Sequence, residues 1–372
     1  MKILHSKPAG DGFYMPAEWE RHYGCLLIWP HRRDSWQYGA YAARRAFKEL
    51  IEIISESERV TVLARNEDYD SARFSLPDRV RVAEMESDDS WARDTAPTFV
   101  TDGKRIRGID WGFNAWGGLC DGLYFPWDKD NKLARKVCDL YDTDCYDQRD
   151  FILEGGSVHT DGAGTLITTE SCLLSRGRNP QLSKAEIEAR LKDTLGVKKV
   201  IWLPCGIYND ETNEHIDNIC AFTSECNVVL SWTDDTDDPQ YEMSSRCLKV
   251  LESETDALGR KINVHRLYQP EPVLVTKEQC EGLDDMDGVP TRREGERLAA
   301  SYVNFYISNS AVIVPQFGDK NDSAAIKTLS RLFPDRSVRG IFAGDILIGG
   351  GNIHCITQQI PFFTETEDYI CH

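Results

Sequence analysis

No apolar run in the chain approaches the roughly 20 residues that would span a bilayer, so a membrane is not an expected partner. The opening residues, MKILHSKPAGDGFYMP, lack the apolar stretch of a secretory signal. Positive charge is in deficit: 43 Lys and Arg stand against 61 Asp and Glu, a net charge of −18. Nucleic acid and anionic membrane surfaces need a basic face, which argues against both as partners, whereas a small cation suits the balance. The metal-site spacings CxxC and HExxH do not occur, and no metal is expected. Cysteine is present twelve times, but at irregular spacings and with no secretory signal, which reads as a reduced, cytoplasmic protein. Two acidic clusters fall away as sites. TDDTDD (233–238) runs into a proline and reads as a solvated turn. LDDMDGVPTRRE (283–294) offers calcium-loop offsets at Asp285, Asp287, Gly288 and Glu294, but Leu283 occupies the first ligand position and Pro290 interrupts it.

What is present is a globular composition, 41% hydrophobic and 28% charged, over 372 residues. Length alone would permit two or three domains, but a closed repeat can be this long as a single one, and the sequence repeats itself. RDTAPTFVTDGKRIRGID (from Arg93), EGGSVHTDGAGTLITT (from Glu154), HIDNICAFTSECNVVLS (from His215) and SYVNFYISNSAVIVPQ (from Ser301) share one plan, and GGGNIHCITQQIP (from Gly349) begins a fifth. Each opens on polar residues or glycine, then runs into strand-forming residues, a short turn and a second strand. Helical patterns lie between them. SKAEIEARLKDTL (183–195) opens on a capping box of Ser183 and Glu186, and YAARRAFKELIEIISE (41–56) is amphipathic at a period near 3.6. About five hairpin-plus-helix units are expected, as one α/β domain over residues 1–372. Radial closure would remove exposed strand edges and bring the hairpin openings to one point.

Chemistry-bearing residues gather at those openings. His215 and Asp217 are two apart, so an extended strand would point both to one face, with Asn218 on the other. Asp94 and Trp91 come from SWARD, Glu154 from LEGG, and Cys355 from GGGNIHC, at the expected start of an apolar strand. The glycines remove side chains where something must approach closely. His354, adjacent to Cys355, would face away and is the poorer base. His159 has no evident acid partner and reads as structural. One thiol, one imidazole and three carboxylates make a poor protease, because oxyanion chemistry does not tolerate three anions nearby. They suit a planar cation. Carboxylates match the N–H fork of a guanidinium two hydrogen bonds at a time, and a thiolate could attack its carbon, expel ammonia and leave a thiouronium for water to hydrolyse.

Long motifs carry a resemblance: YMPAEWE, WP-x-R-x-DSW, SWARD-x-x-P, FNAWGG, DGLYFPWD, LEGGS, RNPQLSK, ETN-x-HID, PQ-x-GD-x-ND and GGGNIHCITQQ, spread nearly end to end. The chain resembles the agmatine deiminase (agmatine iminohydrolase) family of the guanidine-modifying superfamily. That likeness implies the pentein fold, a five-bladed α/β propeller, and hydrolysis of agmatine to N-carbamoylputrescine and ammonia, a step towards putrescine in polyamine biosynthesis. It implies Cys355 as nucleophile, His215 as general acid/base, Asp94 and Asp217 as guanidinium ligands, and Glu154 as the group orienting His215. Trp91 and Trp116 would wall the methylene chain, with Gly350 and Asn352 also at the substrate. No cofactor is implied, and a homo-oligomer, dimer or tetramer, is. One departure concerns Glu214, where the family pattern has glycine, and whose bulk and charge would reshape the far end of the pocket.

At that far end, Asp210, Glu211 and Glu214 precede the HID strand, and at least one, Glu211 foremost, would face an ammonium and repel a carboxylate. No arginine pair stands out to receive the α-carboxylate of arginine; Arg176 and Arg178 read as loop or surface residues. Competing readings are deimination of arginine or another guanidine, amidino transfer to an amine, or a non-catalytic propeller serving as a binding module.

Overall fold

The computed structural model describes residues 1–286 and 292–364. The calcium-loop-like segment 283–294 therefore lies partly outside the described residues. TDDTDD is mostly exposed, and its last residue, Asp238, caps the helix Pro239–Ser253 by accepting from the backbone N–H of Gln240.

Five separate sheets recur on one plan. In the sheet of Thr98–Thr101, Ile106–Gly112 and Cys145–Ile152, the first two strands form an antiparallel hairpin. The helix Leu133–Leu140 then crosses over, and the third strand joins parallel to the second. The same order of antiparallel pair, helix and parallel strand returns with helices Lys184–Leu195, Pro239–Ser253 and Asp322–Leu332. The hairpin-plus-helix unit expected from the sequence is thus present, with a third strand that the periodicity did not reveal.

The fifth unit corrects the expectation. GGGNIHCITQQIP contributes only one strand, Gln358–Pro361, and its antiparallel partner is His22–Ile28 at the other end of the chain. The helix Gln37–Ile54 and the parallel strand Arg59–Ala64 complete that unit. The last hairpin is therefore assembled from both ends of the chain. A buried cluster helps to hold this join: Glu58 accepts from the Tyr306 hydroxyl at 2.9 Å and lies 3.1 Å from His22 Nδ1.

Burial explains the strand composition. Thr165–Thr169 and Ala311–Val314 are buried on both faces, which requires the unbroken apolar or β-branched runs TLITT and AVIV rather than alternation. The outer strands Asn263–Tyr268 and Ser337–Phe342 are mostly exposed or half-buried. Helix Lys184–Leu195 carries the expected capping box and buries Ile187, Leu191 and Leu195 at spacings of four. Helix Gln37–Ile54 starts earlier than its periodicity announced, through left-handed residues Tyr38, Gly39 and Ala40. It buries Ala43, Phe47, Leu50, Ile51 and Ile54 against Val60 and Val62.

Just ahead of each leading strand the chain makes a short turn: Ala92–Thr95, Gly155–Ser157, Ile216–Ile219, residues 301–305 and residues 353–356. These five turns carry the functional side chains.

Candidate active site

Two local expectations about the backbone are overturned. Cys355 is not at a strand start; it lies in the turn 353–356, three residues ahead of Gln358–Pro361. His215 and Asp217 do not share a strand face either. His215 caps the single helical turn Ile216–Ile219, and Asp217 is its second residue. The turn nevertheless brings both groups to one place, and Asn218, expected to face away, lines the same cavity.

That place is marked by Gly156. A methyl at its Cβ position would lie 2.6 Å from His215 Nδ1, 2.9 Å from Asp94 Oδ1 and 3.0 Å from Asp217 Oδ2. The three groups therefore converge over a residue that must be glycine for steric reasons. Its backbone N–H donates to Asp94 Oδ1 at 2.8 Å, and the Trp116 indole N–H donates to Asp94 Oδ2 at 3.0 Å. The Cys355 thiol lies 3.6 Å from Asp217 Oδ2 and receives the Asn304 amide N–H at 3.3 Å. Asp217 Oδ1 is buried and finds no hydrogen-bond partner among the described residues.

Glu154 is fully buried and lies 3.7 Å from His215 Nε2. Its other oxygen meets Arg178 Nε at 2.8 Å, with neither side chain exposed. Arg178 lies in a loop, as expected, but not at the surface: its buried guanidinium also donates to the Trp116 carbonyl, the Asn213 side chain and the Thr212 carbonyl. Arg176 is exposed, as expected.

Electrostatics set the resting protonation. Burial, then Asp217 and Asp94, push the Cys355 thiol well above its ordinary value. Burial also lifts Asp94 to about 6, where His215 opposes the rise and Asp217 and Glu154 add to it. Burial would strip His215 of its proton, but Asp94, Cys172 and Glu154 overcome it and raise the imidazole well above 6.5. Glu154 and Asp217 both stay below their ordinary values despite burial, the first through Arg178 and His215, the second chiefly through His354. At neutral pH the resting pair is a thiol and an imidazolium.

The cavity above these groups encloses about 720 Å³, its mouth included. Trp91 and Trp116 line it as expected, and a third indole, Trp36, stacks on Trp91 at 5.1 Å. Asp89 holds this wall from behind, accepting from both the Trp36 and the Trp91 indole N–H at 3.0 Å. All three glycines of GGGNIHC line the cavity, but two of them chiefly admit protein. A Cβ at Gly349 would strike Trp36 and Trp91, and one at Gly351 would strike Trp91 and Cys355. Asn352 is buried behind the site, outside the cavity lining.

At the outer end Glu211 lines the cavity, yet its oxygens are taken by Arg292 at 2.5 and 2.7 Å. Asp210 turns to Asn218 and Thr212. Glu214 does not reshape the pocket: its side chain caps the Gly206 N–H at 2.7 Å and stays off the lining. Its φ of 68° lies in the left-handed region, which explains why glycine suits that position. Arg32 and Arg292 do line the cavity, a pair the sequence did not announce, and both are engaged, Arg32 by Asp34 and Arg292 by Glu211.

Sequence reasoning also missed Asn304, Glu18 and Arg93. Asn304 sits in the fourth hairpin opening, where no candidate was sought. His159 was wrongly denied an acid partner, since its Nε2 lies 3.7 Å from Glu18. Two clusters, Glu18–His159–His354 and Glu154–Cys172–His215, bring metal-ligating atom types together. In each the carboxylate already pairs with a guanidinium, Arg93 or Arg178, which a metal would have to displace. No helix of the described residues is long and apolar enough to cross a membrane.

A model of the Porphyromonas-type peptidyl-arginine deiminase family matches residues 14–361. The chain belongs to this family. It is 51% identical over 358 residues to the agmatine deiminase of Pseudomonas aeruginosa (strain LESB58), covering 96% of this chain and 97% of the relative. Among solved structures, the agmatine deiminase of Enterococcus faecalis superposes with a TM-score of 0.94 at 44% identity, over 97% of this chain and 99% of that one. A substrate-bound C. jejuni agmatine deiminase carrying a Cys-to-Ser substitution superposes at 0.81 with 27% identity, over 94% of this chain and 97% of its own. The five-sheet family member has the pentein fold.

Proposed function

We propose that the chain hydrolyses agmatine to N-carbamoylputrescine and ammonia through a covalent intermediate on Cys355. The observation that carries this is the convergence of His215, Asp94 and Asp217 over Gly156, with the Cys355 thiol 3.6 Å from Asp217. Relatives that share about half of its residues over nearly its whole length bear the same activity in their names. A guanidinium bound between Asp94 and Asp217 offsets one of their two negative charges and so weakens the field that holds the thiol protonated. The thiol loses its proton to water, and the thiolate attacks the guanidinium carbon. His215, already an imidazolium, protonates the departing nitrogen, and ammonia leaves. The neutral imidazole then takes a proton from water, hydroxide adds to the thiouronium carbon, and collapse expels the sulfur and releases the substituted urea, the proton of the added hydroxyl passing to the sulfur to restore the thiol. Water supplies the incoming oxygen and no cofactor takes part in these steps. Glu154, fixed by Arg178, orients His215 and stabilises its charge.

The cavity selects a cation at its far end as well. Four carboxylates line it, Asp34, Asp89, Asp94 and Glu211, against two guanidiniums, Arg32 and Arg292, which pair with Asp34 and Glu211 and leave Asp89 and Asp94 in excess. An ammonium tail fits this balance, whereas the α-carboxylate of arginine finds no free cation. Each 1.4 kcal/mol of unpaired-charge cost is tenfold, so a preference of about a thousandfold is expected. The test follows ammonia release from agmatine, arginine and arginine methyl ester. Arginine within tenfold of agmatine in kcat/KM would replace this reading with a broader guanidine deiminase.

A further inference from the structure

Behind the nucleophile lies a buried charge network of which the mechanism above uses only Asp217. His354 precedes Cys355 and is 2% exposed. Its Nδ1 lies 2.9 Å from Asp217 Oδ2, and its Nε2 lies 2.9 and 3.0 Å from the two oxygens of Glu18. An ionised carboxylate can only accept hydrogen bonds, so an imidazole bridging two of them must carry protons on both nitrogens. Glu18 also receives the Arg93 guanidinium at 3.3 Å. His159 adds no charge, since its Nδ1 accepts from the Phe222 backbone N–H at 3.4 Å, leaving its single proton on Nε2 for Glu18. The sum is neutral: two carboxylates, Asp217 and Glu18, against His354 and Arg93. The network is anchored to the site itself, because the Asn304 side chain accepts from the His354 backbone N–H at 2.9 Å while donating to the Cys355 sulfur.

We propose that His354, held by Glu18, is a fixed imidazolium that keeps Asp217 ionised and aims its free oxygen at the substrate guanidinium. The inference rests on the deiminase reading above. Asp217 needs such a partner. It is buried, it faces Cys355, and Asp94 shares its neighbourhood, both of which disfavour its charge, while His215, Arg93 and His354 favour it. His354 in turn faces Asp217, Glu18 and Arg93, with His159 stacked 6.3 Å away. It is a positioning residue: it touches Asp217, not the reacting atoms.

The first test does not need activity. In wild-type protein labelled with ¹⁵N-histidine, the resonances missing from His354→Gln identify this ring among the eight histidines. Both of its nitrogens are expected to be protonated at pH 7, where an ordinary imidazole is mostly neutral. A neutral tautomer at pH 7 would overturn the proposal whatever the enzyme's substrate. The second test is kinetic. Losing a unit charge about 4 Å away, at an effective dielectric of about 20, is worth about three pH units, so in His354→Gln the Asp217 ionisation should enter the acid limb of kcat/KM for agmatine, which Asp94 sets at about 6, and should steepen it and move it up. KM should carry most of the loss, which should grow towards about a thousandfold as pH falls. Raising the pH should restore kcat/KM to within about threefold, which a packing defect would not do. Glu18→Gln should shift the limb the same way by less, and it serves if His354→Gln does not fold. An acid limb unmoved in the folded variants would refute the proposal. A wild type silent on agmatine but with a doubly protonated His354 would instead reject the substrate reading and leave the network standing.

Discussion

Gly156→Ala is the smallest change that should damage chemistry without disturbing the fold. The residue has no positive φ, so alanine fits its backbone, and the strain falls entirely on the site. The new methyl would sit 2.6 Å from His215 Nδ1, whereas ordinary contact begins near 3.4 Å. The imidazole must therefore retreat by about 0.8 Å, and Asp94 and Asp217 by about 0.4–0.5 Å each. Displacements of about 1 Å at a reacting group cost about a hundredfold. With both guanidinium ligands displaced as well, kcat/KM should fall by two to three decades, about 3–4 kcal/mol of transition-state stabilisation. The assay is ammonia release from agmatine across substrate concentration, alongside a thermal melt. Gly10→Ala is the control, since its Cβ meets nothing within 4 Å. A Gly156→Ala enzyme that melts normally and turns over within threefold of wild type would refute the convergence argued here.

Other outcomes follow from the same geometry. Arg178→Ala leaves buried Glu154 with only the His215 imidazolium, 3.7 Å away, as a partner, which should cost about 3 kcal/mol of stability in a denaturant melt. Where folded, it should also lower kcat through the loosened His215. The Asp94 carboxyl must be ionised to hold a guanidinium; burial sets it at about 6, so affinity for agmatine should fall as pH drops below that value. The sign for stability is opposite: a raised carboxyl binds its proton more tightly when folded, so this group favours folding at low pH and loses that contribution as pH rises through about 6. With Cys355 held protonated, a cationic haloacetamidine should inactivate the enzyme far faster than iodoacetamide or iodoacetate, and equal rates for all three would contradict the charge assignment.

The parts legible in the sequence were those written locally. Hairpin turns, a capping box and the clustering of Cys355, His215, Asp94, Asp217 and Glu154 at strand openings are patterns within a few residues. What escaped was set by partners far apart in the chain. Arg178 looks like any loop arginine until Glu154 is found beneath it, and Arg292 meets Glu211 only because residues 81 apart share one rim. The HID strand was misread because two-residue spacing says nothing against a single helical turn, in which the same groups converge by another route. The fifth hairpin was invisible as such, since its two strands stand at opposite ends of the sequence. Glu18 and His354 lay in view within YMPAEWE and GGGNIHC, yet a buried four-charge network has no periodic signature. Asn304 lacked an ionisable group to draw attention, though its opening matched the other four.

The central claim is a covalent bond between Cys355 and the substrate's guanidinium carbon. Wild-type enzyme mixed with excess agmatine, quenched in acid during steady state and digested, tests it by mass spectrometry of the peptide that contains Cys355. That peptide should carry the mass of agmatine less one ammonia, on the cysteine sulfur, and the adduct should be missing from folded Cys355→Ser, which should also release no ammonia. Ammonia release at the wild-type rate by verified Cys355→Ser protein would contradict the account.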